Sequence, residues 1–492
     1  MKRILVLLLF FEFIFVGSSI AQTNDFNLSN YKLPTLKRQS LELNFYLSGS
    51  NTFAKYSDVN IYGKDEDNVK GYTGNIRILY NSFLNDSLRQ RTSNAGVYLF
   101  SNYADNKYVY GYSYESTTYN PYFYYNLSNR KYFNANNFFE IDIDIDYEFD
   151  FFDDYFKSSS GSESQYVIKT HDILGYIPLK IGSGRIDPVQ DARLAVYIYD
   201  ELIKVNRINE EISDEDVIQL AKLISELKNK RFFDSRLRKI AELNAIDSFL
   251  ISNTNILKSD SRYFTSLQDI WEYGDRPNRN AGTRYTLALY PGYYFNRYNR
   301  EDVESLYNRE YNLSALILTS GFEFKHEKPI NLYWQNTIDF NTHIGIVDGN
   351  ANYISNTEEN ALRIPNLQLN YTQTIGFYPN TRTDIVFSYG LQYAQIFDKS
   401  DVTNNIDGSD SKGVRASSDL AVNYYISPKL RLNLRAWISY VWQDSDKSEI
   451  IDFSMLPASN YVNRFSPDIY NGIYKQKQFK NGFRISLLYS IF

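Results

Sequence analysis

Residues 139–151 read FEIDIDIDYEFDF, with Phe, Ile or Tyr at every odd position and Asp or Glu at every even one. Side chains alternate across a strand but repeat every 3.6 residues around a helix. This run therefore makes a strand with one apolar and one acidic face, and no helix accommodates it. The pattern recurs. Leu332, Trp334, Ile338, Phe340, Ile344 and Ile346 share one parity, against Asn331, Gln335, Thr337, Asp339 and Asn341. Leu430, Leu432, Leu434, Ala436, Ile438, Tyr440 and Trp442 alternate with Arg431, Asn433 and Arg435. Composition removes several other classes. Hydrophobic residues make up 43% of the 492, too many for a disordered polyelectrolyte. After residue 21 no stretch approaches the roughly 20 apolar residues of a membrane-spanning helix. The absence of Cys removes disulfides, thiolate metal sites and cysteine nucleophiles. A net charge of −6 and the lack of a phosphate-cradling glycine loop give no ground for nucleic-acid binding.

Six strands are expected before residue 183, at about 39–50, 71–84, 88–104, 107–126, 131–152 and 164–182. Eight are expected afterwards, at 283–295, 311–325, 330–347, 361–378, 381–397, 413–427, 429–445 and 477–491. Pro121 leaves open a split of 107–126 into two strands. These runs exceed the 5–6 residues or so of a typical soluble strand and meet the roughly 9–11 of a tilted strand crossing a bilayer. The connections alternate. Asn85-Asp86, Leu127–Arg130, 326–329, 379–380 and Pro428 are short; 51–70, 153–163, 296–310, 348–360, 398–412 and 446–476 are long, with 105–106 short on the long-loop side. Short turns at one end and long loops at the other are the pattern of a transmembrane β-barrel.

Residues 1–21 place Lys2 and Arg3 before an apolar stretch, Ile4 to Val16, and the small-residue run Gly17-Ser18-Ser19-Ile20-Ala21. That is the order of a cleaved secretory signal. The final segment, GFRISLLYSIF, is an amphipathic strand ending in an aromatic residue. With these features the chain resembles the porin- and transporter-like outer-membrane β-barrel proteins of Gram-negative bacteria, across most of residues 39–182 and 283–492. The resemblance implies an all-β antiparallel transmembrane barrel of about 14 strands, an even number between 12 and 16, in outer-membrane lipid. It also implies that the barrel-assembly machinery reads the closing strand, with Phe483, Ile485, Leu487 and Tyr489 in its outward row and Phe492 one position out of register. It specifies no transporter family.

Residues 183–280 interrupt the alternation. Asp187 is read as the cap of a helix beginning at Pro188, with Val189, Ala192, Val196, Tyr199 and Ile203 at helical spacing. Ser213 opens a second helix through the capping-box-like SDED, and a third runs from Asp234 to Phe249. Counting strand pairs back from the C-terminus puts this insert, like the segment 22–38, in the periplasm. It is expected to plug the lumen, to dock a periplasmic or surface protein through 187–272, or to act as a stabilising lid. Its basic stretch, Lys228, Lys230, Arg231, Arg236, Arg238 and Lys239, is interleaved with acids and reads as a solvated face.

Acids on the lipid face are costly, so Asp142, Asp144, Asp146, Glu148 and Asp150 are expected to line the lumen. Arg431, Arg435, Lys480 and Arg484 have lumen parity near the C-terminus. The two rows either oppose each other across a pore, or pair with neighbouring strands in a filled lumen. The functional expectation is passage of solutes across the outer membrane. The alternative is a membrane-anchored scaffold of an envelope secretion or assembly complex, with a filled lumen and the insert as docking platform. Neither needs a cofactor, metal or catalytic residue. His343 and Asp339 share a face but lie about 13 Å apart, His171 and Asp172 lie on opposite faces, and His326 falls in a predicted turn. Loop 398–412 carries four Asp without the spacing of a calcium-binding hand.

Overall fold

A computed structural model of the chain describes residues 26–55, 66–108, 112–208, 211–229, 235–257, 259–273, 279–303, 308–353, 359–397, 411–427, 430–445 and 474–489. The leader at 1–21, loop residues 398–410, and Phe492 lie outside these residues. One antiparallel, barrel-like sheet dominates. Its strands are β1 (Leu36–Lys55), β2 (Glu66–Asn85), β3 (Arg89–Lys107), β4 (Ser113–Tyr132), β5 (Asn137–Lys157), β6 (Glu163–Tyr176), β7 (Leu179–Pro188), β8 (Asn280–Asp302), β9 (Asn308–Pro329), β10 (Trp334–Tyr353), β11 (Glu359–Asn380), β12 (Thr383–Ile396), β13 (Ser411–Ser427), β14 (Leu430–Ser445) and β15 (Tyr474–Tyr489). Fifteen strands fill fourteen positions, because β6 and β7 follow one another between β5 and β8. The segment expected as a single strand over 164–182 breaks at Ile177-Pro178. Neighbouring strands bridge the gap: Asp142 N donates to Pro178 O at 2.9 Å, and Ile177 N to Pro291 O at 3.0 Å.

Pro121 causes no break. It lies inside β4, and the β4–β5 ladder skips only Asn120-Pro121 before resuming in register at Tyr122. The turn expected at Leu127–Arg130 is corrected: those residues are in β4, and the chain reverses at 133–136, where Asn134 accepts from Asn136 N and Asn137 N. Likewise 105–106 belongs to β3 and His326 to β9, whose turn is 330–333. Strands reach further than the pattern suggested, 23 residues in β8, so several long connections shrink to five or so residues.

Directly opposed residues of an antiparallel ladder point to one face. From Leu43 the ladder passes through Ile78, Val97, Phe123, Tyr147 and Ile173 to Phe295. From Tyr285 it passes through Phe324, Phe340 and Tyr371 to Leu391, and from Phe387 through Leu420 and Ala436 to Phe483. One apolar face thus extends over the whole sheet, with Leu43 71% and Phe483 78% exposed. The opposite face is more enclosed and mixed: it carries polar and charged residues together with a buried apolar cluster that includes Tyr294, Leu313, Ile317, Val347 and Ile396.

Four helices follow β7: α1 (Gln190–Lys204), α2 (Asp214–Asn229), α3 (Ser235–Asn253) and α4 (Ser261–Tyr273). No helix among the described residues is long and apolar enough to cross a membrane. The expected first cap is corrected. Residues 183–188 complete β7, Pro188 pairs with Asn280, and α1 starts after Val189 with no side-chain cap. Ser213 and Asp216 form the reciprocal capping box of α2, with N–H to oxygen distances of 3.2 and 3.1 Å. The fourth helix escaped the sequence reading, although Asp260 caps it and Tyr263, Leu267 and Ile270 recur at helical spacing. The helices share a hydrophobic core with the N-terminal segment, through Phe26, Leu28, Tyr31 and Leu33, and with Leu332 of the β9–β10 turn.

Candidate functional site

The inner face where the sheet meets the helices gathers most of the buried charge among the described residues. Two glycines shape it. Gly184 (φ +99°) and Gly282 (φ +139°) lie within the β7–β8 ladder, and a Cβ on either would lie 1.9 or 2.0 Å from a carbonyl oxygen of the partner strand. Only glycine permits this bend. It brings the end of β7 towards the β2–β3 turn. Arg185 there donates to Asn85 Oδ1 at 2.8 Å, Asp86 O at 2.7 Å and Ser87 O at 3.1 Å, and Gln90 of β3 donates to Asp187 Oδ1 at 3.0 Å.

Immediately beyond, α1 packs against α2 and α4 in the core of the helical block, which is why it is buried nearly all round. On one side Asp191 receives Lys228 at 2.7 Å, Arg38 of β1 at 3.3 Å and the Ser225 hydroxyl. Burial works against ionisation of Asp191, but Lys228, Ser225 and Arg38 more than offset it and hold the carboxyl below its ordinary range. On the other side Arg193 stacks over Tyr378 of β11 at 5.5 Å. Arg279, which ends the insert, grips the β9–β10 turn. It donates to Asn331 O and Trp334 O at 2.7 Å each, to Leu332 O, and to Gln335 Oε1 at 3.1 Å. Burial, with Arg193 nearby, pulls the Arg279 guanidinium down to about 9. Arg382, between β11 and β12, pairs with Asp269 of α4 and covers the Tyr273 ring at 4.1 Å. The helical block is therefore fastened to β1, to the β9–β10 turn, to β11 and to the β11–β12 turn. It lies over one end of the barrel-like sheet.

The acidic row of β5 points inward, with Asp142 buried while Ile141 and Ile145 are exposed. Its partners are local. Asp142 meets Lys180 of β7 at 3.0 Å, and Lys180 also meets Glu323 at 3.1 Å. Asp144 accepts from Asn126 at 3.1 Å, Asp146 from the Tyr122 hydroxyl at 2.5 Å, Glu148 from Asn120 at 2.9 Å, and Asp150 from Asn120. Glu140, one step nearer the cap, is held by Arg130 at 2.7 Å. Of the expected basic residues, Arg435 pairs with Asp419 at 2.6 Å and Arg431 leans on the Tyr425 ring. Lys480 and Arg484 lie on edge strand β15, opposed to Ser439 and Arg435. No ion pair joins the two sets among the described residues. In β15, Phe483, Ile485 and Leu487 are exposed on the apolar face.

The three histidines are dispersed. His343 is buried edge-on to Tyr290, His171 contacts Tyr147 Oη at 3.2 Å, and His326 contacts Thr283 Oγ1 at 2.7 Å. The basic stretch of the insert is internally neutralised where described: Lys228 by Asp191, Arg238 by Glu242 at 2.7 Å, and Lys239 by Glu272. Sequence reasoning passed over Arg185, Arg193, Arg279 and Lys180. For Arg185 a signal existed, because the glycines of GSGR and NAGTR interrupt strand patterns and mark a close backbone approach. For the others the partners are remote in sequence. No protein-family model and no curated protein matches this chain.

Proposed function

We propose that the chain is an outer-membrane β-barrel that gates the passage of solutes, with α1 to α4 closing its periplasmic mouth. The observation that carries this reading is the apolar outer face, present on strands from β1 to β15 and exposed at Leu43 and Phe483, set against an enclosed inner face that holds the buried charge. A water-soluble monomer rarely exposes an apolar patch larger than a few hundred Å². Lipid is the medium such a band matches, and in it every lipid-facing strand needs ladder partners, as antiparallel pairing supplies. The leader-like residues 1–21 agree with export.

The test compares the full-length protein in planar bilayers with a variant lacking residues 190–273. Low conductance in the parent and stepwise conductance in the deletion are expected. Equal conductance in both, or recovery of the parent from the soluble fraction without detergent, overturns the reading. One observation favours a scaffold role instead: Ile240, Ile251, Leu257 and Phe264 are exposed apolar residues of the helical block. Under that reading the deletion loses a co-purifying protein and leaves permeability unchanged.

A further inference from the structure

Inside the sheet, against the capped end, lies a cavity of about 220 Å³. Its walls include Arg130, Arg284, Lys325, Gln90, Asn280 and Glu327, so three cations face one carboxylate. The cations are not equivalent. Arg130 is committed to Glu140, with Nε and Nη2 each 2.7 Å from Oε2, and donates to Gln90 at 3.1 Å. Lys325 stands 3.2 Å from Glu327. Arg284 makes no hydrogen bond or ion pair among the described residues. Its opposed neighbours are Lys325 on β9, which repels it, and Gly184 on β7, which offers no side chain. Arg130 is a further like charge close by.

Like charges directly opposed across a ladder are destabilising. A guanidinium also carries five donors in a fixed fork and keeps its charge. The acids within electrostatic reach of Arg284 are Glu140 and Glu323, and both are bonded elsewhere. Glu140 accepts from Arg130 and Ser128, and Glu323 from Lys180 and Tyr290. Arg284 thus presents unused donors to a space walled by two more cations. We propose that this cavity binds a small oxyanion of the inorganic phosphate class. Arg284 grips two of its oxygens with its uncommitted donors, and Arg130 and Lys325, each already paired with one carboxylate, line the same space. A water takes about 30 Å³ of liquid volume, so the cavity has room for one phosphate group with part of its hydration. The site needs only the inner face of the sheet, and it stands whether or not the barrel proves to conduct.

Equilibrium dialysis of the detergent-purified full-length protein against radiolabelled inorganic phosphate, at constant ionic strength balanced with chloride, tests this. Saturable binding near one phosphate per chain is expected, and Arg284→Gln should weaken it at least about tenfold. Arg284→Gln removes an unpaired cation from beside Lys325, so the variant should fold as the parent does. Should it misfold, Lys325→Gln serves as the second probe, with the same weakening expected. Absence of saturable binding in the parent, or parent-like binding in the folded variant, overturns the proposal.

Discussion

Among the described residues β1 and β15 are the two edges of the sheet, each paired on one side. Long edges with exposed apolar side chains are templates for pairing, and each is a suitable cover for the other. The register of that seam follows from the ladders already formed. From Leu36, directly opposed residues lead through Asn85, Gln90, Arg130, Glu140, Lys180, Ala288, Gly321, His343, Gln368, Ala394, Gly413 and Gln443 to Gln476 of β15. Because barrel strands tilt, such a walk returns to the first strand several residues further along. Two conditions fix how many. The outward residues Leu41, Leu43 and Phe45 must share a face with Phe483, Ile485 and Leu487, so the stagger is even. All of Tyr474–Tyr489 must also find partners within Leu36–Lys55. Only Ser50 or Thr52 opposite Gln476 satisfies both, giving staggers of about 14 or about 16 residues. At a rise of about 3.3 Å and a strand spacing of about 4.8 Å, these correspond over fourteen positions to tilts of about 35° and about 38°, inside the range of roughly 35–45° found in barrels.

The seam is therefore predicted to place Leu43 opposite Phe483 at the smaller stagger, or opposite Ile485 at the larger. The protein has no Cys, so engineered pairs report without background. Opposed Cβ atoms lie about 4.5–5.5 Å apart and diagonal ones up to about 7–8 Å, against the roughly 3.5–4.5 Å a disulfide needs. The doubles Leu43→Cys/Phe483→Cys and Leu43→Cys/Ile485→Cys are oxidised mildly in the folded protein, beside the β1–β2 control Leu43→Cys/Ile78→Cys, whose positions are opposed. One seam double should cross-link as fully as the control and the other only weakly. A control that closes while neither seam double does refutes the closure argument.

Two further predictions concern the cap. Gly184→Ala should destabilise the capped end by about 1–3 kcal/mol, because its Cβ would meet Thr283 O at 1.9 Å, and should expose the helices to limited proteolysis; Gly161→Ala, also at positive φ but with nothing within 4 Å of the new Cβ, should leave proteolysis unchanged. Asp200 of α1 has a buried Oδ1 without a hydrogen-bond partner, and burial pushes its pKa up from 3.8 to about 6. The folded state then binds more protons than the unfolded state between these values, so stability falls as pH rises through that window and the full penalty is present at neutral pH. Asp200→Asn should therefore slow hydrogen exchange in α1 at pH 7.5, and the gain should disappear below pH 4.

The misplaced turn at Leu127–Arg130 shows where the sequence ceases to be legible. Its Ser128 and Arg130 look like turn residues, yet both are polar because they face Glu140 on the inner wall. Where the inner face of a sheet is polar, a short inward-facing run and a turn have the same composition, and only pairing distinguishes them. Pro121 and Pro178 make the same point. The first is absorbed where the ladder skips two residues, and the second ends a strand, with nothing local to separate them.

Faces were readable because they depend on a period of two, which survives any slip of a strand by two residues. Pairs do not survive it. Arg130 lies directly opposite Glu140, and Glu140 opposite Lys180. Sliding β4 by two residues would keep every acid inward and every isoleucine outward, while setting Arg130 against Phe138 or Asp142. The field inside this protein is therefore set by register and not by composition. The acid row was visible in the chain, but its partners, and the uncommitted Arg284 guanidinium at the cavity, emerge only when fourteen strand positions are aligned.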